Sequence, residues 1–156
     1  MPGTPAPMLI ARRARRPGDD WDQARSWFGG LPKLGAQPWP RGAKSGRPLP
    51  FAAQLDLAEL AVAQPGAPLP KTGSLAVFLD EGAVVYVPAA SGERPTAPPP
   101  DAIPAFDPHG DLFPAKPSPQ SRPTFPRWPV EAVVLDVPPP PPSSDVDGLE
   151  RLRKEM

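Results

Sequence analysis

The chain has 156 residues, a formal net charge of zero and no cysteine, and 30 of its residues are proline. This length fits one domain. The neutral charge argues against general binding to nucleic acid or anionic lipid, and the lack of cysteine excludes disulfides and thiolate chemistry. Because proline interrupts helices and central strands, regular structure is expected only in the proline-free windows, around a small core.

The N-terminal segment 1–17 is predicted to be a flexible basic arm. Its basic residues are Arg12, Arg13, Arg15 and Arg16. They follow the short apolar stretch instead of preceding it, so the segment does not resemble a signal peptide. No apolar run approaches the roughly 18 residues that span a bilayer, and a cytoplasmic protein without membrane contact is predicted. Binding of this arm to nucleic acid is an alternative, disfavoured because acidic residues at positions 19, 20 and 22 follow directly.

The first predicted element is a short helix over Asp19–Phe28. Acidic residues occupy its first turn, where they suit the positive end of the helix dipole. Trp21, Ala24 and Phe28 fall on one face at helical spacing. The pair Gly29-Gly30 then supplies the left-handed conformation that ends a helix.

A strand over Phe51–Leu55 and a two-turn helix follow. Asp56 is the predicted N-cap of this helix, with Glu59 reaching back in a capping box, and Pro65-Gly66 ends it. Gln54 and Asp56 therefore lie at a strand-to-helix junction. Polar side chains there either face a cleft or satisfy backbone groups, and the second role is favoured.

The segments Ser74–Asp80 and Ala83–Val87 predict a β-hairpin. Glu81-Gly82 forms its two-residue turn, in which glycine adopts a positive φ. Both faces of both strands are apolar, which indicates interior strands covered on two sides. Tyr86 would then need a partner for its hydroxyl group.

The rest of the chain is rich in proline. Residues 88–129 are predicted to be an irregular proline-rich segment, and Val130–Val137 the last strand. The run Pro138–Pro142 is a stiff polyproline spacer. Ser143–Met156 predicts a helix whose narrow apolar stripe requires a partner surface.

These elements predict one α+β domain over residues 18–137. A mixed or antiparallel sheet dominates it, with short helices and a long proline-rich coil. The spacer and the C-terminal helix at residues 138–156 follow this domain.

No cofactor and no metal site are predicted. His109, the only histidine, lies between Asp107 and Asp111 in the proline-rich segment, and a convincing site needs more ligands from ordered elements. No glycine-rich nucleotide loop and no nucleophile elbow occur. Trp39 and Trp128 each precede a proline, which favours packing over stacking on bases or sugars. An enzyme is therefore disfavoured.

Four motifs occur in order along the chain. They are Ser26-Trp27-Phe28-Gly29-Gly30-Leu31-Pro32, Trp39-Pro40, Pro48-Leu49-Pro50-Phe51-Ala52-Ala53-Gln54-Leu55-Asp56-Leu57 and Leu69-Pro70-Lys71-Thr72-Gly73-Ser74-Leu75. Together they resemble the YwqG-like family, a bacterial family of unknown function, over residues 26–137. Its members are usually longer, and the motif of their second half has no match in Ser143–Met156. The resemblance implies a domain without an assigned chemistry, and the toxin systems near some members imply immunity or partner binding.

The predicted function is a non-enzymatic binding or protein-interaction module, of which an immunity protein is one form, with an unidentified protein as its partner. The alternative is a small-ligand-binding protein or an enzyme whose cleft lies at Gln54 and Asp56, near Trp39 and Arg127. A deep polar pocket joining these four side chains favours the alternative. Their use in capping and packing favours the interaction module.

Overall fold

The protein forms one antiparallel sheet with one helix in the part that a computed structural model describes, which is residues 8–13, 18, 23–89, 94–108, 110, 112–114 and 116–134. The elements are β1 (Met8–Arg12), β2 (Trp27–Phe28), β3 (Phe51–Asp56), α1 (Leu57–Ala63), β4 (Ser74–Phe78), β5 (Ala83–Val87) and β6 (Trp128–Val134). The six strands lie in the order β1-β6-β2-β3-β4-β5. Every neighbouring pair is antiparallel.

The predicted α+β class, with short helices and a long proline-rich coil, is wrong. The described residues are mostly antiparallel sheet, and they contain a single short helix. In the described part of the helix predicted over Asp19–Phe28, Trp27 and Phe28 form strand β2, which pairs with β3 and β6. Trp27 is 3% exposed in that central position. Burial between two strands outweighs a helical pattern of only two turns, because local propensity is a weak preference.

The proline-rich segment 88–129 folds back on itself in its described part instead of forming a long coil. Phe106 makes β-bridges with Leu112 and Arg122. The rings of Phe106 and Phe125 stack at a centroid distance of 5.7 Å. These aromatic residues therefore provide a small local core that proline content alone does not reveal.

The predicted strand and capped helix at the centre of the chain are confirmed. The Glu59 N–H donates to Asp56 Oδ1 at 3.0 Å, so Asp56 is the N-cap of α1. Leu57 and Leu60 are buried on the inner face of the helix. The C-cap is Gln64, directly before the proline and glycine that were predicted to end the helix.

The predicted hairpin is confirmed, but its turn and its surroundings differ. Phe78 pairs with Ala83, so the turn has the four residues Leu79 to Gly82. Strand β4 is an interior strand as predicted, whereas β5 is an edge strand. One face of β5 is not covered, because Val84 is 62% exposed and Tyr86 is 42% exposed. An apolar run does not reveal whether a strand lies at the edge of its sheet.

Both ends of the described chain meet at the other edge of the sheet. Strand β1 lies within the segment predicted to be a flexible arm, and it pairs with β6 from Met8–Val134 to Arg12–Val130. Strand β6 begins at Trp128, two residues before the predicted start. His109, the polyproline spacer and the predicted C-terminal helix lie outside the described residues.

The core lies against the central strands. Its buried residues are Trp27, Leu34, Leu49, Phe51, Ala76, Phe78 and Val87. The Phe78 ring contacts Phe51 and Trp39 edge-on, at centroid distances of 5.6 and 5.3 Å. No helix in the described part of the chain is long and apolar enough to cross a membrane.

Candidate functional site

A cleft of about 330 Å³ opens where the end of β3 and the start of β4 meet the end of β5. Its lining includes the charged residues Arg25, Lys33 and Asp56. It also includes the apolar residues Trp27 and Val87. This volume lies at the lower end of the range of about 300–1,000 Å³ that small-molecule pockets occupy.

Gln54 fixes one wall of the cleft through its side-chain amide. The amide oxygen accepts from Lys33 N at 2.7 Å, and the amide nitrogen donates to Lys33 O at 3.0 Å and to Ser74 Oγ at 2.8 Å. Gln54 is 3% exposed. Its amide therefore pairs with the Lys33 backbone as a neighbouring strand would, and it holds the 31–34 segment against the sheet.

Ser26 completes the capping box at the start of α1. The Asp56 N–H donates to Ser26 Oγ at 2.9 Å, and the Ser26 hydroxyl donates to Glu59 Oε2 at 2.8 Å. In an ordinary capping box the glutamate accepts from the N-cap N–H directly. Here the Ser26 hydroxyl lies between the two groups, so the helix start is tied to the chain leading into β2.

Asp56 makes a second contact on the side of the cleft. Its Oδ2 lies 3.2 Å from Arg25 NH2, in an ion pair whose arginine side chain is 64% exposed and whose aspartate side chain is 15% exposed. Its Oδ1 already accepts from α1. The carboxylate is thus engaged through both oxygens, one in capping the helix and one in holding Arg25 at the cleft.

Two cations lie over the Trp27 ring. The Lys33 Nζ is 5.6 Å from the ring centroid, and the Arg127 guanidinium carbon is 4.9 Å from it. Lys33 lines the cleft, whereas Arg127 does not. The aliphatic part of the Arg127 side chain packs against Gly30, where an added Cβ would lie 3.1 Å from Arg127 Cβ.

Of the four predicted site residues, two lie together at the cleft and the other two lie apart from it and from each other. Gln54 and Asp56 line the cleft. Trp39 belongs to the core, where its Nε1 donates to Leu49 O at 2.8 Å and its ring meets Phe78. Arg127 contacts Trp27 from outside the lining. No single pocket therefore joins all four side chains.

Sequence reasoning missed Ser26, Arg25 and Lys33 as residues of this site. Ser26 was quoted as part of a motif, but no local pattern connects it to Glu59, which is 33 positions away. Lys33 follows the Gly29-Gly30 bend, and the carbonyl and N–H that Gln54 binds are invisible in a side-chain pattern. The one signal that the sequence offered for these three residues was the hydroxyl group of Ser26, at the start of the first motif.

The described lining of the cleft offers charged groups and hydrogen-bonding groups. Its hydroxyl residues are Thr72 and Ser74, and no described hydrogen bond joins either hydroxyl to a carboxylate or a histidine. Among the residues that the structure describes, no group of three or more His, Asp or Glu side chains could hold a metal ion.

A comparison with protein families matches a segment that contains most of the residues lining the cleft, although Arg25 lies just outside it. Residues 26–96 match the family model of a domain of unknown function, DUF1963. The chain is similar to that family over β2 to β5, which includes Ser26, Lys33, Gln54 and Asp56. Strands β1 and β6 lie outside the matched residues. No curated protein and no solved structure matches the chain.

Proposed function

We propose that this chain is a YwqG-like binding module without catalytic activity, and that the cleft beside Gln54 and Asp56 is its binding site. The observation that carries the proposal is a cleft of about 330 Å³ whose polar walls are fixed by bonds within the protein. Prearranged polar groups lower the entropic cost of binding, since fewer side chains become ordered in the complex. The cysteine-free composition supports a cytoplasmic setting for this module.

The engagement of the titratable groups supports binding over catalysis. A general base must reach a proton on the substrate. Asp56, the carboxylate in the described lining, accepts from Glu59 N and pairs with Arg25. Lys33 lies over Trp27, with its backbone bound to Gln54. These groups can orient a ligand without exchanging protons with it.

A blocked-cleft variant tests the proposal. Ala89 is an exposed residue of the cleft lining, so Ala89→Trp places a large ring at the mouth. Ala36→Trp adds the same ring at an exposed site away from the cleft and serves as the matched control. Both variants are titrated with a library of small polar ligands and followed by two-dimensional NMR of the backbone amides.

We expect a ligand to shift the amide resonances around Lys33, Gln54 and Gly73 in the wild type and in Ala36→Trp. In Ala89→Trp the affinity of the ligand falls at least about tenfold, because the added ring occupies the volume that the ligand needs. Two results contradict the proposal. One is a library without any ligand that shifts these amides, and the other is an equal response of the two variants.

A protein partner is the second candidate function, and the exposed edge strand β5 favours it. Val84 and Tyr86 are 62% and 42% exposed there. An open edge strand can pair with a strand from another chain. Copurification from the native host tests this function. A partner that binds β5 is expected to copurify with Ala89→Trp, because that residue lies outside the strand. The same partner is expected to be lost with Val84→Arg. Equal recovery by Val84→Arg, or recovery of no partner, contradicts it.

A further inference from the structure

The charges in the described lining of the cleft do not balance. Arg25 and Lys33 contribute two positive charges, and Asp56 contributes one negative charge. Asp56 is paired with Arg25 at 3.2 Å. Among the described residues, no carboxylate forms an ion pair with Lys33. The described lining therefore carries one positive charge in excess, centred on Lys33.

Hydrogen bonds fix the Lys33 backbone, and a cation–π contact restrains its ammonium group. Gln54 binds its backbone N–H and its carbonyl group, at 2.7 and 3.0 Å. The next residue, Leu34, donates its N–H to Thr96 Oγ1 at 3.0 Å. The Lys33 ammonium group lies 5.6 Å from the Trp27 ring centroid, a cation–π contact that limits its motion. The fixed backbone and the cation–π contact reduce the ordering that this side chain needs when it meets an anion.

The remaining lining supplies a small apolar surface. Its accessible part consists of Ala58, Pro88 and Ala89, and the nearly buried side chains of Ala24, Trp27 and Val87 lie behind it. A volume of about 330 Å³ holds a short chain or a single ring rather than a polymer. This surface can contact the apolar part of a small ligand, and the Lys33 ammonium group can pair with an anionic group at the end of that ligand.

We propose that the cleft binds a small carboxylate with a short apolar body, and that Lys33 provides the counter-charge. This inference rests on the proposed binding function of the same cleft. The carboxylate of the ligand meets the Lys33 ammonium group in a charge-assisted hydrogen bond, and the apolar body lies against Ala58, Pro88 and Ala89. A cationic ligand of the same size is repelled by Arg25 and Lys33.

Three probes of similar length test the charge preference: hexanoate, its neutral isostere hexanamide, and the cation hexylamine. Dissociation constants are measured by NMR titration at low ionic strength, because salt screens exposed charges. We expect hexanoate to bind about tenfold more tightly than hexanamide, as a charge-assisted hydrogen bond is roughly twice as strong as a neutral one. Hexylamine binds more weakly than both. An N-acetylated tripeptide with a free or an amidated C-terminus tests whether a peptide end can supply the same carboxylate.

Substitutions of Lys33 test its role. Lys33→Met keeps much of the side-chain length and removes the charge, so the preference for hexanoate over hexanamide falls to about twofold or less. Lys33→Arg keeps the charge and retains the preference. Lys116→Met removes a charge from an exposed site outside the cleft and leaves the preference unchanged.

The inference and the proposed function fail in different ways. If hexanoate and hexanamide bind equally and Ala89→Trp blocks both, the cleft remains the binding site and the carboxylate inference is overturned. A hexanoate preference that persists in Lys33→Met also overturns it. If none of the three probes binds, the inference is overturned, and the wider ligand library then decides whether the proposed function stands.

Discussion

Replacing Ser26 with alanine tests how the start of α1 is held against β2. Ser26 is 4% exposed, and its hydroxyl joins the Asp56 N–H to the Glu59 carboxylate at 2.9 and 2.8 Å. The substitution removes a hydrogen bond to a charged group, which contributes about 1.5–3 kcal/mol. It also leaves a backbone donor without its partner, which costs about 1–3 kcal/mol. We expect the free energy of unfolding to fall by about 2–4 kcal/mol.

The effect is measured by urea denaturation, with circular dichroism as the readout. Ser118→Ala is the control, since Ser118 is exposed and its replacement is expected to change stability by less than about 0.5 kcal/mol. A double-mutant cycle with Glu59→Ala isolates the contact between Ser26 and Glu59, and we expect a coupling energy of about 1 kcal/mol or more. Additive effects of the two substitutions would refute the bridging role of Ser26.

Two further substitutions test the remaining contacts. Gln54→Ala leaves the Lys33 backbone N–H and carbonyl without partners, so we expect a loss of about 2–4 kcal/mol in urea denaturation and faster amide exchange at Lys33; unchanged exchange would contradict this role. The Lys44 N–H donates to Glu81 and holds the pKa of that carboxyl below its ordinary value of 4.5, with further donation from Ser45. A lowered pKa stabilises the fold above the unfolded-state value and loses this stabilisation as the pH falls through the folded-state value. Glu81→Gln should therefore flatten the stability profile below about pH 4.5, and an unchanged profile would contradict the contact.

The elements that depend on neighbouring residues could be predicted from the sequence. The N-cap Asp56 and its partner Glu59 are three positions apart, so the helix start follows from spacing alone. The β4–β5 hairpin likewise joins adjacent segments. In each case the residues that decide the structure lie within one turn or one hairpin.

The elements that depend on distant residues could not be predicted. Strand β2 has only two residues, and it forms because β3 and β6 pair with it from both sides. Strand β1 depends on β6, which lies more than a hundred positions further along the chain. Strand β2 is too short to produce a periodic pattern of its own, and β1 lies in a segment whose proline and arginine content predicted an irregular arm.

The same distinction holds for the candidate site. The junction at Gln54 and Asp56 was predicted because the residues on either side of it mark the end of a strand and the start of a helix. The position of Lys33 at the cleft depends on hydrogen bonds between its backbone and Gln54, which is 21 positions away. Trp39 was predicted to lie near this site, but it lies in the core, where its indole N–H donates to the Leu49 carbonyl.

Intermolecular nuclear Overhauser effects from bound hexanoate test the central claim most directly. If the cleft is the binding site, the ligand methyl group shows these effects to Ala58 and Pro88, and Ala89→Trp abolishes them. Effects to Val84 and Tyr86 on the exposed face of β5, with none to Ala58 or Pro88, would place binding at the edge strand and contradict the account.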